Sequence, residues 1–368
     1  MLTISRSYFL TKIYLLYLLI SFPRYVYVQT VNPIPNRYTV VLKDTCAGLD
    51  GVQSHVEQLE AEIKHKTNQT VDFDVRRMYS SALIGYTAIL DDLALSVVKA
   101  SPDVVFVEND QYLNASALQV NSPWNLGRVN SRSKPSAPYS YKYDPSWGAG
   151  VTAYILDTGI NTNHIDFGGR ATTGVVVVSG ENATDCIGHG THVAGIVGSK
   201  TYGISRSVSI VGVKVFILSG PYSSALNTAV ANVVSAGIAV VVAAGNNADD
   251  ACKYSPSSAP TTICVGATNS TDYMAPFSNY GNCVNLFAPG ASIRSTFIGS
   301  NNATALMSGT SMAAPHVSGV LAAIQSKSGP NPYPVQQLRS ILLGNATSGI
   351  LQNVKNTKNL LLFNSYES

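Results

Sequence analysis

The chain has 368 residues, 45% of them hydrophobic and only 12% charged, with 29 glycines and a formal net charge of +3. This composition describes a protein with a sizeable core in one or two domains and excludes a disordered or fibrous chain. The positive charge is spread out with no basic block, so neither nucleic acid nor a membrane surface is an expected partner.

In chain order, residues 1–28 come first. A basic lead is followed by the ten-residue apolar run I-Y-L-L-Y-L-L-I-S-F from Ile13 to Phe22. That is shorter than the roughly 20 residues a bilayer span requires, so the segment reads as a secretory signal peptide. A signal anchor is the competing reading, because no A-x-A site follows and Arg24 intervenes. Secretion gives meaning to the sequons at Asn68, Asn114, Asn182, Asn269, Asn302 and Asn345. It also permits disulfides among Cys46, Cys186, Cys252, Cys264 and Cys283.

Residues 37–112 alternate strand-like and helix-like patterns. R-Y-T-V-V-L-K-D, V-D-F-D-V, A-L-I-G-Y-T-A-I-L and D-V-V-F-V-E-N-D read as strands; V-Q-S-H-V-E-Q-L-E-A-E-I-K and D-L-A-L-S-V-V-K-A read as helices. The order βαββαβ predicts a small ferredoxin-like α+β domain. Residues 111–146, rich in Ser, Asn, Pro and Tyr, predict a linker and an irregular surface arm.

From Gly150 onward, buried strands alternate with helices. V-T-A-Y-I-L-D, I-V-G-V-K-V, I-A-V-V-V-A-A-G-N, T-I-C-V-G-A-T and N-L-F-A-P-G are the strands. T-H-V-A-G-I-V-G, S-S-A-L-N-T-A-V-A-N-V-V-S-A-G and M-A-A-P-H-V-S-G-V-L-A-A-I-Q are the helices. Near-continuous apolar strands predict an α/β fold, a parallel sheet with helices on both faces. Sites in such sheets lie at the carboxyl ends of the strands.

Three residues stand where that rule puts a site. Asp157 ends Y-I-L-D, His189 lies in G-H-G-T-H-V-A-G, and Ser311 lies in S-G-T-S-M-A-A-P-H. A serine hydroxyl is a weak nucleophile until an imidazole takes its proton, and the imidazole needs a buried carboxylate to hold its tautomer. His192 begins an apolar run and is expected to pack inside, which leaves His189 as the base. Gly188, Gly190 and Gly309 are expected to allow tight turns, and Pro315 to occupy the first turn of its helix. The Ser311 N–H at a helix start and the Asn246 amide at a strand end are candidate donors to an oxyanion. Each residue alone has a bland reading as a turn or cap, but the order Asp, His, Ser matches a known triad arrangement.

I-L-D-T-G-I, G-H-G-T-H-V-A-G, A-A-G-N-N and G-T-S-M-A-A-P-H-V-S-G resemble the catalytic blocks of subtilisin-like serine peptidases, and S-P-W-N-L-G-R-V and F-S-N-Y-G resemble the proteinase K branch. The resemblance implies a secreted, monomeric endopeptidase made as a zymogen. Residues 37–112 would be its inhibitory propeptide, 117–368 its peptidase domain, and Ser116–Ala117 the site of self-cleavage. Polypeptide substrates with a hydrophobic residue before the cut are implied, held in part by Ser219 and Gly220, which match the family's cleft-wall block in L-S-G-P. A Cys252–Cys283 disulfide is implied, and Cys186 lacks its usual partner. Cys264, in a buried strand, reads as a core thiol. No cofactor is expected: Asn285 stands where relatives can carry an acidic calcium ligand, and reads as an ordinary turn amide.

One departure stands out. His189 and Asn246 are 57 positions apart (189 to 246), closer than the family pattern. About one strand-plus-helix unit, roughly 30 residues or more, is expected to be missing at V-K-V-F-I-L-S-G-P-Y-S. The competing reading is therefore a catalytically impaired or pseudo-enzyme chain that retains the triad residues, or a skipped exon.

Overall fold

The computed structural model describes residues 33–66, 71–81, 83–111, 117–215, 219–328 and 331–364. The expected signal peptide at 1–28, Ser116 of the expected cleavage pair, and Leu218 lie outside them. The chain forms two compact units, one up to Asn114 and one from Ala115 to Glu367.

The first unit contains β1 (Pro33–Leu42), α1 (Leu49–Lys66), β2 (Phe73–Ser80), β3 (Ile84–Leu90), α2 (Asp92–Ala100) and β4 (Val104–Gln111). The strands form an antiparallel sheet of order β2-β3-β1-β4, the arrangement the βαββαβ pattern predicts. Helix α1 buries Val52, His55, Val56, Leu59 and Ile63. That 3–4 spacing is the stripe an amphipathic helix turns toward a sheet, and one of its five members is a histidine. Helix α2 starts where it does because the Asp91 carboxylate accepts from Ala94 N at 2.8 Å.

The second unit opens with β5 (Ala117–Val120), α3 (Trp124–Val129) and β6 (Ser140–Tyr143). β5 and β6 pair, so the arm expected to be irregular has its own antiparallel ladder. Then follow β7 (Thr152–Asp157), β8 (Ala171–Val176), α4 (His189–Gly198), β9 (Ser209–Lys214), β10 (Gly220–Pro221), α5 (Ser224–Ser235), β11 (Val241–Ala243), β12 (Tyr254–Ser255) and β13 (Ile263–Thr268). The unit closes with β14 (Leu286–Pro289), β15 (Ile293–Thr296), β16 (Thr304–Met307), α6 (Thr310–Gln325), α7 (Val335–Asn345), β17 (Thr347–Ser348) and β18 (Leu360–Leu361).

β7, β9 and β8 form a three-stranded parallel sheet of order β7-β9-β8, and a second sheet has the order β11-β13-β14-β18-β17. Helix α6 packs on β11, β13 and β14 and also touches α4. It is buried along most of its length, as its apolar sequence predicts.

The expectation of strands covered on both faces holds for β13, all six of whose residues are buried. It does not hold for β7, where Ile155 and Asp157 are buried but Tyr154 and Leu156 are 58% and 50% exposed. β7 is an edge strand, β11 is the edge of the other sheet, and α5 buries none of its residues. β7 and α5 therefore leave apolar surface in water, at a cost of about 25 cal/mol per Å².

Cys252 and Cys283 form a disulfide across 31 positions, and Cys46, Cys186 and Cys264 are free. Cys264 is buried, as expected, and burial pushes its pKa up to about 12. Replacing Cys252 and Cys283 together by alanine is expected to cost about 3–4 kcal/mol in the loop-entropy account. Denaturant titration checks this; an unchanged midpoint would mean the bond constrains nothing. Sequons Asn182 and Asn302 are exposed and Asn269 and Asn345 half-buried, while Asn68 and Asn114 lie outside the described residues. Among the described residues no helix is long and apolar enough to cross a membrane.

Candidate active site

Asp157 is the last residue of β7 and His189 the first of α4, so the two meet at the carboxyl end of a parallel strand. His189 Nδ1 donates to Asp157 Oδ1 at 2.7 Å. The carboxylate is buried and the imidazole 30% exposed, so one partner is fixed and the other faces the cleft. That hydrogen bond raises the His189 pKa above its ordinary 6.5, against the opposing effect of burial. Gly188 enters the helix at φ +94°, in the left-handed region that favours glycine. At Gly190 a side chain would come within 2.1 Å of the Gly159 carbonyl, so the helix mouth and the strand end touch there.

His192 is fully buried, as expected, with Nε2 donating to the carbonyls of Ile293 and Ala305 at 3.0 and 3.2 Å. Burial lowers its pKa to about 4, so it is a neutral structural histidine.

Ser311 is the second residue of α6 and half-buried. Its N–H belongs to the first turn, where no intrahelical acceptor exists, and it makes no hydrogen bond among the described residues. Asn246 follows β11. Its Oδ1 accepts from both the N–H and the hydroxyl of Thr310, at 2.8 and 2.9 Å. With the oxygen engaged, the amide nitrogen is turned away from Thr310 and keeps its donors. Among the described residues no hydrogen bond joins Ser311 to His189, a link that commonly tightens only when substrate binds. The structure thus fixes two pairs, Asp157 with His189 and Asn246 with Thr310 at the start of α6, and the helices that begin at His189 and Thr310 pack against each other.

Two details differ from the sequence expectation. Pro315 is the sixth residue of α6, not in its first turn. Its missing N–H leaves the Ser311 carbonyl, four residues back, without its helical donor. Gly309 has φ 162° and ψ 161°, extended backbone open to any residue, so its conformation does not require glycine. What lies close is Asn246 Nδ2, 3.4 Å from where a Gly309 side chain would begin.

Asp185 is a positioning residue that motif reading passes over. Its carboxylate accepts from Thr158 Oγ1, the N–H groups of Ile187, Gly188 and Thr191, and Thr191 Oγ1, at 2.6–3.1 Å. Burial alone would raise its pKa, but the bonds from Thr191, Gly188 and Thr158 together hold it below the ordinary carboxylate value. Thr158 also accepts from Gly190 N at 3.0 Å, so Asp185 and Thr158 lash the His189 turn to the end of β7. The signal available in the sequence was an Asp four residues ahead of a helix start, near but not at the N-cap, which is Gly188.

Ser219, Gly220 and Pro221 line a cavity of about 230 Å³ with Ala243, Ala244 and Gly245, next to Asn246. β10 is held there by antiparallel pairing with β12. Cys186 is exposed, its Sγ 3.8 Å from Lys214 Nζ. Asn285 is nearly buried and its side-chain oxygen accepts from Cys264 N at 2.8 Å, so the amide serves the sheet.

A carboxylate-held imidazole, a serine at a helix start and an amide at a strand end, gathered at the carboxyl ends of parallel strands, are the groups of a serine hydrolase on an α/β scaffold. The Subtilase family profile matches residues 148–228 and 214–363. The chain is 38% identical to an "Extracellular serine proteinase" of Thermus sp. over 380 positions, covering 92% of each protein. It is 36% identical to "Alkaline protease 1" of Aspergillus clavatus over 381 positions, covering 90% of this chain and 92% of that one. Among solved structures, a cold adapted subtilisin-like serine proteinase superposes with a TM-score of 0.62 at 36% identity, over 66% of this chain and 98% of that one. The chain belongs to the subtilase family and is a subtilisin-like serine endopeptidase.

Proposed function

We propose that Ser311 is the nucleophile, His189 the general base and acid, Asp157 the group that orients and stabilises its imidazolium, and Asn246 Nδ2 with the Ser311 N–H the oxyanion hole. The observation that carries this reading is the 2.7 Å Asp157–His189 bond at the carboxyl end of β7, with Asn246 clamped to the residue before Ser311. His189 takes the Ser311 hydroxyl proton as the oxygen attacks the peptide carbonyl, and returns it to the leaving amine. The Ser219–Pro221 wall would hold an extended polypeptide as an added strand, its hydrophobic side chain in the adjoining cavity. A fluorophosphonate probe tests the reading: stoichiometric labelling at Ser311 is expected, and labelling that survives loss of Ser311, or none at all, overturns it.

Asn246→Leu is expected to lower kcat by 10²–10³ with KM little changed, because the donor is needed only where charge develops. That size is borrowed from the equivalent donor in subtilisin, a member of the same family. Steady-state kinetics on a peptide ester check it; a rise in KM alone would make Asn246 a binding residue.

In the same reading the chain is a secreted monomer with signal peptide 1–28, residues 37–112 are an inhibitory propeptide, and 117–368 are released by cleavage at Ser116–Ala117. The ferredoxin-like first unit and the division at Asn114 support it. A strand-plus-helix unit is missing between β9 and β11. Support comes from the unpaired edges of β7 and β11, the two overlapping family segments at 214–228, and alignments of 380 and 381 positions against a chain of 368 residues.

A further inference from the structure

The first unit carries a cluster that peptide hydrolysis does not use. Cys46 ends the short 3-10 turn Asp44–Cys46, His55 lies on the buried stripe of α1, and Asp103 lies in the turn before β4. The Cys46 thiol, a ring nitrogen of His55 and a carboxylate oxygen of Asp103 all lie within 4.8 Å of one another.

The cluster is not satisfied by hydrogen bonding. His55 Nδ1 is 3.9 Å from Asp103 Oδ2, beyond hydrogen-bond reach. His55 Nε2 is buried without a partner among the described residues, on a side chain only 3% exposed. Nδ1, the nitrogen on the Asp103 side, is the one placed to take a ligand, and the neighbouring stripe positions Val52, Val56, Leu59 and Ile63 are apolar, an environment in which a histidine is costly to bury. Cys46 is a free buried thiol in the same place. The main chain holds the pieces in position, since Lys43 N donates to Asp103 O at 3.0 Å.

We propose that Cys46, His55 and Asp103 form a binding site for a divalent transition-metal ion, with Zn²⁺ the best match. A thiolate, an imidazole and a carboxylate are the donor types zinc takes, whereas calcium and magnesium prefer all-oxygen sets. Tetrahedral bonds of about 2.0–2.3 Å put neighbouring donors roughly 3.4–3.6 Å apart. The 3.9 Å separation and the 4.8 Å bound on the other donor separations need an inward movement of the donors, which the 39% exposed Asp103 side chain is free to make on its side. The solvent side of Asp103 leaves the fourth position to water. Binding replaces the Cys46 S–H bond by a metal–thiolate bond and releases the proton to solvent. The ion joins the 3-10 turn, α1 and the turn before β4, and so stabilises the first unit by mass action. The site stands without the propeptide reading.

The test uses the full chain carrying Ser311→Ala and Cys186→Ser, which stays uncut and lacks the exposed thiol. Titration with Co²⁺ is expected to give one equivalent with a thiolate-to-cobalt charge-transfer absorption, displaced by Zn²⁺. Cys46→Ser is expected to abolish the absorption, and Asp103→Asn to weaken Co²⁺ binding about tenfold or more. Absence of the absorption, or its persistence in Cys46→Ser, overturns the proposal. If circular dichroism shows Cys46→Ser unfolded, the half-exposed Asp103→Asn decides: unchanged Co²⁺ affinity overturns the site.

Discussion

Ser311→Ala is expected to lower kcat by about 10⁶-fold and to leave the chain uncut at Ser116–Ala117. The size is borrowed from the same substitution in subtilisin, a member of this family, and corresponds to about 8 kcal/mol of transition-state stabilisation. The physical reason for so large a loss is that in the proposed mechanism the other groups act through the serine. His189 has no proton to take without it, and the Ser311 N–H and Asn246 then stabilise only an attack by water. A residual 10³–10⁴ over the uncatalysed reaction is expected to remain from those donors and from binding. Stability should change little, because Ser311 is half-buried and makes no hydrogen bond among the described residues. Two measurements check this: hydrolysis of a peptide substrate by the purified chain, and the mass of the secreted product. Processing that continues unchanged in Ser311→Ala would mean either a different nucleophile or a second protease.

The parent chain gives the same experiment a second use. Among the described residues, the proposed cleft wall at Ser219–Pro221 is held by the two-residue ladder of β10 with β12 and by bonds of Tyr222 and Ser223 to Lys253 and Ser255. Helix α5, which follows it, buries none of its residues, and Leu226 and Val233 are 37% and 41% exposed. Such a segment opens locally at little cost, because few buried contacts are lost when it moves. In the proposed reading its weak anchoring acts on substrate binding, whereas Asp157, His189 and Ser311 lie on β7, α4 and α6 outside it. A raised KM with a preserved response to fluorophosphonate is the signature that separates a loosened cleft wall from a broken triad.

The first unit was legible in the sequence because its strands and helices are short, well separated and two-faced, and the βαββαβ order admits few sheet arrangements. β13 was legible for the opposite reason: a run of six apolar or small residues with no polar alternation is what a strand buried on both faces needs. β7 carries the same kind of run, yet its outer face lies in water, because burial is decided by what packs on a strand and not by the strand. Asp157, His189 and Ser311 stood out as candidates from residue type and glycine spacing, which are local, and the structure joins the first two by a hydrogen bond. The Asn246–Thr310 clamp could not, since its partners are 64 positions apart and meet only when β11 and α6 pack. Asp185 was hidden differently: a buried carboxylate with five donors looks, in sequence, like any Asp before a helix. Pro315 shows the limit of capping rules, which place proline in a first turn while the serine-bearing helix begins earlier and tolerates the lost bond.

Asp157→Asn is expected to lower kcat by about 10⁴-fold, the size known for the equivalent change in the chymotrypsin triad. An amide that donates where the carboxylate accepted turns His189 to the wrong tautomer, and it removes the charge that stabilises the imidazolium. The pH dependence follows from the same bond. The hydrogen bond to Asp157 raises the His189 pKa above 6.5, so the parent loses activity as pH falls through that raised value. In Asp157→Asn the acid limb is expected to move to lower pH. The stability effect has the opposite sense. A pKa raised by folding gives a contribution fully present below the unfolded value near 6.5 and lost as pH rises through the folded value. The parent is therefore most stabilised by this pair where it is least active, and its stability advantage over Asp157→Asn is expected to shrink as pH rises through that window. Rate–pH profiles and denaturant midpoints measured together check both signs. An acid limb that stays in place in Asp157→Asn would assign it to a group other than His189.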